Sequence, residues 1–348
     1  MKRFDDYDLY GHNTFGMRVR CACYIEYDSI SEIDSLDLST LPQPVIHIGA
    51  GSNLLFTKDF EGTILHSAVK YIKYVDLGID EVFMAVGAGV TFDDFVAKAC
   101  EAGYWGAENL SLIPGEVGAA AVQNIGAYGV EVKDIISGVV CYDTVERRKV
   151  TFKAAECAYG YRESRFKTEP DKGRYIVNSV LFKLTRAYSP RLDYKGIRSA
   201  LGLAPDATPE DLTPLKVREA IIGVRNAKLP DPAVTGSAGS FFKNPVVDAL
   251  TFARIIDIAQ REWGPDVQVP HFLLDGGMVK VPAAWMIDRC GLKGATCGGA
   301  ATYQGQPLVL VNASGNATPG DILSLERHII DEVRAKFGIE LHPEVEHI

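Results

Sequence analysis

The stretch Ile46-His47-Ile48-Gly49-Ala50-Gly51-Ser52-Asn53-Leu54-Leu55-Phe56 decides how the first half of this chain is read. Residues 44–48 (PVIHI) are apolar and β-branched enough to read as a strand, and the apolar run 54–56 leaves the turn as another. Between them, Gly49 and Gly51 free the backbone, so that successive N–H groups can converge into an anion nest, with Ser52 and Asn53 adding side-chain donors. The pattern departs from the Rossmann fingerprint: Leu54 replaces the third glycine, and a strand follows where a helix should. Alone, such a segment is more often a tight turn than a ligand loop.

Residues 113–129, IPGEVGAAAVQNIGAYG, shift that balance. Glycines at 115, 118, 126 and 129, with small residues at 119 to 121, let a flat, extended ligand lie along the backbone, while Gln123 and Asn124 offer amide donors and acceptors. A tightly packed crossover without a ligand is the alternative. Two such loops without a P-loop lysine suit a dinucleotide pyrophosphate better than a nucleoside triphosphate.

Around these loops, residues 81–86 (EVFMAV) read as a strand running into Gly87-Ala88-Gly89. A helix then starts at Thr91, with Asp94 completing a capping box, Phe92, Phe95, Val96 and Ala99 on its apolar side and Gly103 stopping it. Further strands are expected at 138–143 and 175–184. Residues 185–235 read as a linker carrying a short helix near 214–222. Beyond it come amphipathic helices over 248–263 and 321–337, the second with Ile322, Leu325, Ile329, Val333 and Phe337 on one stripe, and a strand at 307–311 between them. Strands and helices mix without regular βα alternation, so the fold class is α+β rather than a doubly wound sheet.

The 348 residues suggest two to three domains, and 47% hydrophobic content suffices for sizeable cores. With 36 Lys and Arg against 45 Asp and Glu, the net charge of −9 argues against broad binding to nucleic acid or an anionic membrane. The start shows no apolar run of a secretory signal, and no segment reaches the roughly 18 apolar residues of a spanning helix. A cytoplasmic location is therefore expected. The seven cysteines (21, 23, 100, 141, 157, 290 and 297) cannot all pair within one chain, form no C-x-x-C motif and lack a His cluster, so free thiols and no metal are expected.

Seven motifs follow in order: IGAGSNLLF, ENLSLIPGEVGAAAVQNIGAYGVEV, YGYRESRFK, RNAKLPDP, GSAGSFFKNP, WMIDRCGLKG and HPEVEHI. Together, over about residues 13–344, they resemble the UDP-N-acetylenolpyruvoylglucosamine reductases, flavoenzymes of early peptidoglycan synthesis, in the subgroup with a tyrosine lid loop. The resemblance implies an FAD-binding domain of the vanillyl-alcohol-oxidase type (about 16–187) in two subdomains, 1–67 and 68–190. A lid and linker at 191–228 and a substrate domain at 229–348 would complete the chain, with the last residues returning to the flavin. It implies non-covalent FAD, NADPH as hydride source, and a UDP-sugar enolpyruvyl ether as substrate. The cofactor positions implied are Gly49, Gly51, Ser52, Asn53, Ile113, Gly115, Gly118, Ala119, Asn124 and Gly126.

Catalysis is implied for Arg162, Ser240 and Glu344. Arg162 carries a permanent cation suited to an anion or a developing enolate, although a salt bridge to Glu163 is the plain alternative. Ser240 lacks the G-x-S-x-G spacing of a hydrolase nucleophile, because Phe242 replaces the last glycine; the resemblance makes it a proton donor. Glu344 sits near the C-terminus, where disorder is the default, yet 339–348 alternates like a strand. Tyr194, Lys228, Lys243, Asn244, Lys293 and Gln306 match substrate-contacting positions. Two rivals differ in class. An oxidase of the same flavin fold often carries an attachment histidine in the first glycine loop, which 49–53 lacks, and a non-catalytic flavin module would have no use for the Arg, Ser and Glu set.

Overall fold

The computed structural model describes residues 1–76, 80–194, 196–204, 207, 209 and 211–348. Lys195 of the expected lid, with 205, 206, 208 and 210, lies outside the described residues. The chain divides into two compact units: residues 1–8, 20–51 and 60–227, and residues 9–19, 52–59 and 228–348. Strands and helices are mixed in both, and the α+β class holds.

Among the described residues the first unit contains a four-stranded sheet, a five-stranded sheet and the two-stranded pair Gly126–Ala127 with Val130–Glu131. In the four-stranded sheet, Lys2–Asp8 pairs antiparallel with Arg20–Tyr27, followed in parallel by Phe60–Ser67 and Val45–Ile48. Pattern reading misses the strands Lys2–Asp8, Arg20–Tyr27, Ile72–Asp76 and Arg148–Lys153, and also Phe60–Ser67, which Gly62 interrupts. A Cβ at Gly62 would lie 2.1 Å from the Pro44 carbonyl oxygen, so the close pairing of these strands requires glycine. The second sheet is antiparallel, in the order Arg148–Lys153, Ile136–Asp143, Tyr175–Thr185, Glu81–Gly87, Ile72–Asp76. The expected strands 81–86, 138–143 and 175–184 are all in it.

Against this sheet packs the helix Phe92–Glu101, whose Phe95 stacks on Phe182 at 4.1 Å between ring centroids. Thr91 is its N-cap as expected, but the side chain makes no cap bond. Its backbone is drawn instead into a bridge with Glu116. The first-turn Asp93 is likewise diverted, to Arg218 at 2.5 and 2.8 Å and to the Leu112 amide. The helix expected near 214–222 runs longer, as Pro214–Lys228.

The second unit is built on the sheet Gly236–Ser240, Val309–Asn312, Ala300–Thr302, Thr296–Cys297. Helices Ala249–Trp263, Ala283–Arg289 and Pro319–Phe337 accompany it, the last opened by a capping box between Thr318 and Asp321 and closed by Gly338 at φ 68°. Residues 9–19 are stitched in by buried Asn13, which donates to Leu9 O and Met17 O, and by Asn312, which donates to Phe15 O. Gly236 is needed here, since a Cβ would fall 2.2 Å from Phe15 O. The strand-like tail contributes only Glu346–His347, paired in parallel with Leu54–Leu55.

Candidate functional site

In the first unit the two glycine loops meet. A Cβ placed on Gly49 would reach the Ala119 Cβ at 3.0 Å and Glu116 Oε2 at 3.3 Å; one on Gly118 would reach the Ala88 Cβ at 2.8 Å. Gly51 and Gly115 hold φ of 66° and 113°, the left-handed region that glycine enters without strain. Stripped of side-chain bulk, these segments leave a backbone cradle, and the residues present fit a diphosphate-bearing cofactor. The segment contains a short helix, Val117–Gln123, favoured by its run of alanines. Ile113 packs against the apolar core beneath.

Asn124 ends that helix in the left-handed conformation, φ 47°. Its amide donates to Gly160 O at 2.7 Å and to Glu131 at 3.3 Å, and its Oδ1 accepts from the Lys133 amide at 3.2 Å. Asn124 is fully buried, and its side chain ties the 124–131 loop to the 160–164 loop. Arg162 lies on the second of these, itself at φ 57°. It donates from Nη1 to Asn124 O at 3.2 Å and from Nη2 to Gly126 O at 2.8 Å, and its guanidinium lies over the Tyr161 ring. Gln123, the other expected amide donor, accepts from Lys167 at 2.6 Å.

Tyr194 is exposed and meets Tyr128 edge-on at 5.4 Å between ring centroids. Asn109 donates to both Tyr128 O and Arg191 O, joining the base of the lid to the glycine loop. Arg225, within the RNAKLPDP motif, was not singled out by sequence. Its buried Nε has no hydrogen-bond partner, and burial holds the guanidinium below its ordinary range. His47 stands on the strand before the first loop, 2.8 Å from the Tyr27 hydroxyl, and burial pushes its imidazole down to about 3. It is a neutral structural histidine.

The second unit gathers the other residues. Ser240 ends its strand exposed, in register with Val309. The chain beyond it pairs with the C-terminal segment: the Lys243 amide donates to His342 O at 2.9 Å, and the Glu344 amide to Phe241 O at 2.8 Å. Glu344 therefore stands beside the serine strand. Its own carbonyl accepts from the Asn53 amide at 3.0 Å, and the Thr57 amide and hydroxyl both donate to Ile348 O at 2.8 Å. The tail is pinned rather than frayed. His347 Nε2 lies 3.2 Å from a carboxylate oxygen of buried Glu326.

Asn244 uses its Oδ1 to accept from the Ala283 amide, fixing the start of the helix Ala283–Arg289. Gly305 approaches so closely that a Cβ would sit 2.8 Å from Lys228 O, which places Lys228 beside the turn carrying Gln306. Gly294 abuts the Gln304 side chain, which brings Lys293 to the same turn. Among the described residues, no group of three or more His, Cys, Asp or Glu side chains is placed to hold a metal, and no helix is long and apolar enough to cross a membrane. All seven cysteines are free.

Residues 231–348 match the model of the UDP-N-acetylenolpyruvoylglucosamine reductase C-terminal domain, and residues 38–146 match that of an FAD binding domain. A protein of Bacteroides fragilis named UDP-N-acetylenolpyruvoylglucosamine reductase is 47% identical over 98% of this chain and 99% of its own length. One of the same name from Porphyromonas gingivalis is 45% identical over 99% and 98%. The crystal structure of the corresponding reductase from Thermus caldophilus superposes with a TM-score of 0.67 at 22% identity, covering 99% of this chain and 98% of that one, a likeness of fold.

Proposed function

The chain belongs to the UDP-N-acetylenolpyruvoylglucosamine reductase family, and from that premise we propose a residue-level account of its reaction with NADPH as hydride source. The enzyme is an FAD-dependent oxidoreductase that reduces UDP-N-acetylglucosamine enolpyruvate to UDP-N-acetylmuramate in peptidoglycan precursor synthesis. Its FAD-binding domain is of the vanillyl-alcohol-oxidase type. The observation that carries the account is the junction that sets Glu344 beside the Ser240 strand, two residues the reaction needs and the chain separates by a hundred positions.

FAD, when bound, supplies a two-electron carrier between NADPH and the enolpyruvyl double bond. Gly49, Gly51, Ser52, Gly115, Gly118, Ala119 and Gly126 would hold its diphosphate and isoalloxazine through backbone approach, with Ile113 packed beneath and Asn53 securing the tail. Arg162, held to two backbone carbonyls, presents a fixed cation to the substrate carboxylate as charge develops there. Glu344 orients the same group, and Ser240 donates its hydroxyl proton to the carbon that carries the carboxylate. Lys228, Lys243, Lys293, Asn244 and Gln306 would bind the sugar nucleotide, and Tyr194 would close over its diphosphate.

The boundaries 1–67, 68–190, 191–228 and 229–348 and a cytoplasmic location belong to the same proposal. Acid precipitation should release yellow flavin into the supernatant; colour kept in the pellet would favour a covalent oxidase instead. The direct test is NADPH oxidation by purified protein. Oxidation beyond one equivalent per flavin should require UDP-N-acetylglucosamine enolpyruvate, and sustained oxidation indifferent to that compound would refute the assignment.

A further inference from the structure

Arg162 has to be aimed to serve as a fixed cation, and the chain seats it in a strained turn. Residues 160–163 close on themselves, Gly160 N donating to Glu163 O at 3.0 Å and Glu163 N to Gly160 O at 3.2 Å. Within the turn Arg162 stands at φ 57°, a left-handed conformation that a side-chain-bearing residue keeps only where its surroundings enforce it.

Asn124 acts on both ends of that arginine. At the root, its Nδ2 donates to Gly160 O, the same oxygen that closes the turn, at 2.7 Å. At the tip, its main-chain oxygen accepts from Arg162 Nη1 at 3.2 Å. That oxygen is turned away from the helix axis because Asn124 leaves the helix Val117–Gln123 left-handed, at φ 47°. Asparagine is among the few residues other than glycine that adopt this conformation readily. The amide itself is fully buried, and its orientation follows from its partners: Nδ2 also meets Glu131 at 3.3 Å, and Oδ1 accepts from the Lys133 amide at 3.2 Å. Two further bonds join the same segments, Ser164 Oγ to Val122 O and Lys167 Nζ to Gln123 Oε1, each at 2.6 Å. Without the Asn124 amide the loop therefore stays attached to the helix, and what changes is the aim of the arginine.

We propose that Asn124 is a positioning residue for Arg162, fixing the guanidinium from both ends so that its charge meets the substrate carboxylate. It acts through the arginine and touches no reacting atom. This rests on the reading of Arg162 as the cation at that carboxylate.

The test follows both half-reactions of full-length holoenzyme by anaerobic stopped-flow, with free FAD measured in the ultrafiltrate. Asn124→Asp keeps the size and the left-handed preference, but sets an acceptor against Gly160 O and Glu131. FAD should be retained, and reduction by NADPH should stay near wild type. Reoxidation by UDP-N-acetylglucosamine enolpyruvate should slow roughly tenfold to a hundredfold, the effect of a charged group displaced from its aim. The same substitution in an Arg162→Met background should slow reoxidation no further than Arg162→Met alone, because no guanidinium is left to aim. A loss of equal size in both backgrounds overturns the proposal. So does release of FAD or an equally slowed reduction, either of which makes Asn124 a cofactor contact or a general support. Should Asn124→Asp fail to fold, Asn124→Gly takes its place with the same expected pattern, since it keeps the left-handed backbone and removes only the clamp. Arg162→Met reoxidised at the wild-type rate would refute the reading of Arg162 and the proposal with it. An Arg162→Met variant that is slow, with Asn124 additive to it, refutes the proposal alone.

Discussion

The glycine loops of the first unit and the Ser240–Glu344 junction of the second are built on opposite principles. Around Gly49, Gly118 and Gly126, what matters is missing side chain: each position has a neighbour where a Cβ would go. Around Ser240, Lys243 and Glu344, what matters is side chains brought together by pairing between segments a hundred residues apart. A backbone cradle recognises what many cofactors share, a diphosphate. A set of side chains recognises one substrate. Damage to the first should therefore appear as lost stability or lost flavin, and damage to the second as lost turnover with flavin retained.

The sharpest way to break that contrast is Ser240→Ala. Reduction of the flavin by NADPH needs no proton at a substrate carbon and should stay near wild type. Reoxidation by the enolpyruvyl substrate should slow by about 10²- to 10⁴-fold, the usual worth of a positioned general acid. Stopped-flow absorbance resolves both phases, and a variant reoxidised at the wild-type rate would show that the proton comes from elsewhere. Next in size is Lys228→Ala. Loss of one charge-assisted contact to the sugar nucleotide costs about 1.5–3 kcal/mol. Steady-state kinetics should register that cost as a raised KM for the enolpyruvyl substrate, with FAD content unchanged.

Gly118→Ala probes the other side. Its new methyl would stand 2.8 Å from the Ala88 Cβ, and overpacking of that kind costs roughly 1–3 kcal/mol. Thermal unfolding should show the loss; an unchanged Tm would mean the loops have slack. The smallest effect concerns His47. Burial lowers its pKa from 6.5 to about 3, so the unfolded chain binds a proton that the folded chain refuses. The stability it contributes is present above pH 6.5 and lost as pH falls below, by about 1 kcal/mol between pH 7 and 5.5. His47→Gln should flatten that limb in urea titrations at the two pH values, and an equally steep limb in the variant would assign the acid sensitivity to other groups.

The same contrast explains what was legible in the sequence. Gly49, Gly115 and Gly118 announce themselves because only glycine tolerates such approaches, and the strands beside them carry clear apolar patterns. Residues 60–67 escaped because Gly62, itself demanded by strand pairing, broke the pattern. The roles of Asn124 and Asn109 were hidden because an amide that holds two loops together reads no differently from one that waits for a ligand. The alternation of 339–348 suggested a strand but named no partner for it beside the Ser240 strand. The Ser240–Glu344 pairing is a tertiary contact, and only the resemblance of GSAGSFFKNP and HPEVEHI to their family pointed there.

The measurement that bears most directly on the account is anaerobic. Holoenzyme reduced with one equivalent of NADPH is mixed with UDP-N-acetylglucosamine enolpyruvate, and the flavin band is followed. The oxidised spectrum should return in a single turnover, with one equivalent of UDP-N-acetylmuramate formed. A flavin that stays reduced until air is admitted would contradict the account and make the protein an oxidase of the same fold.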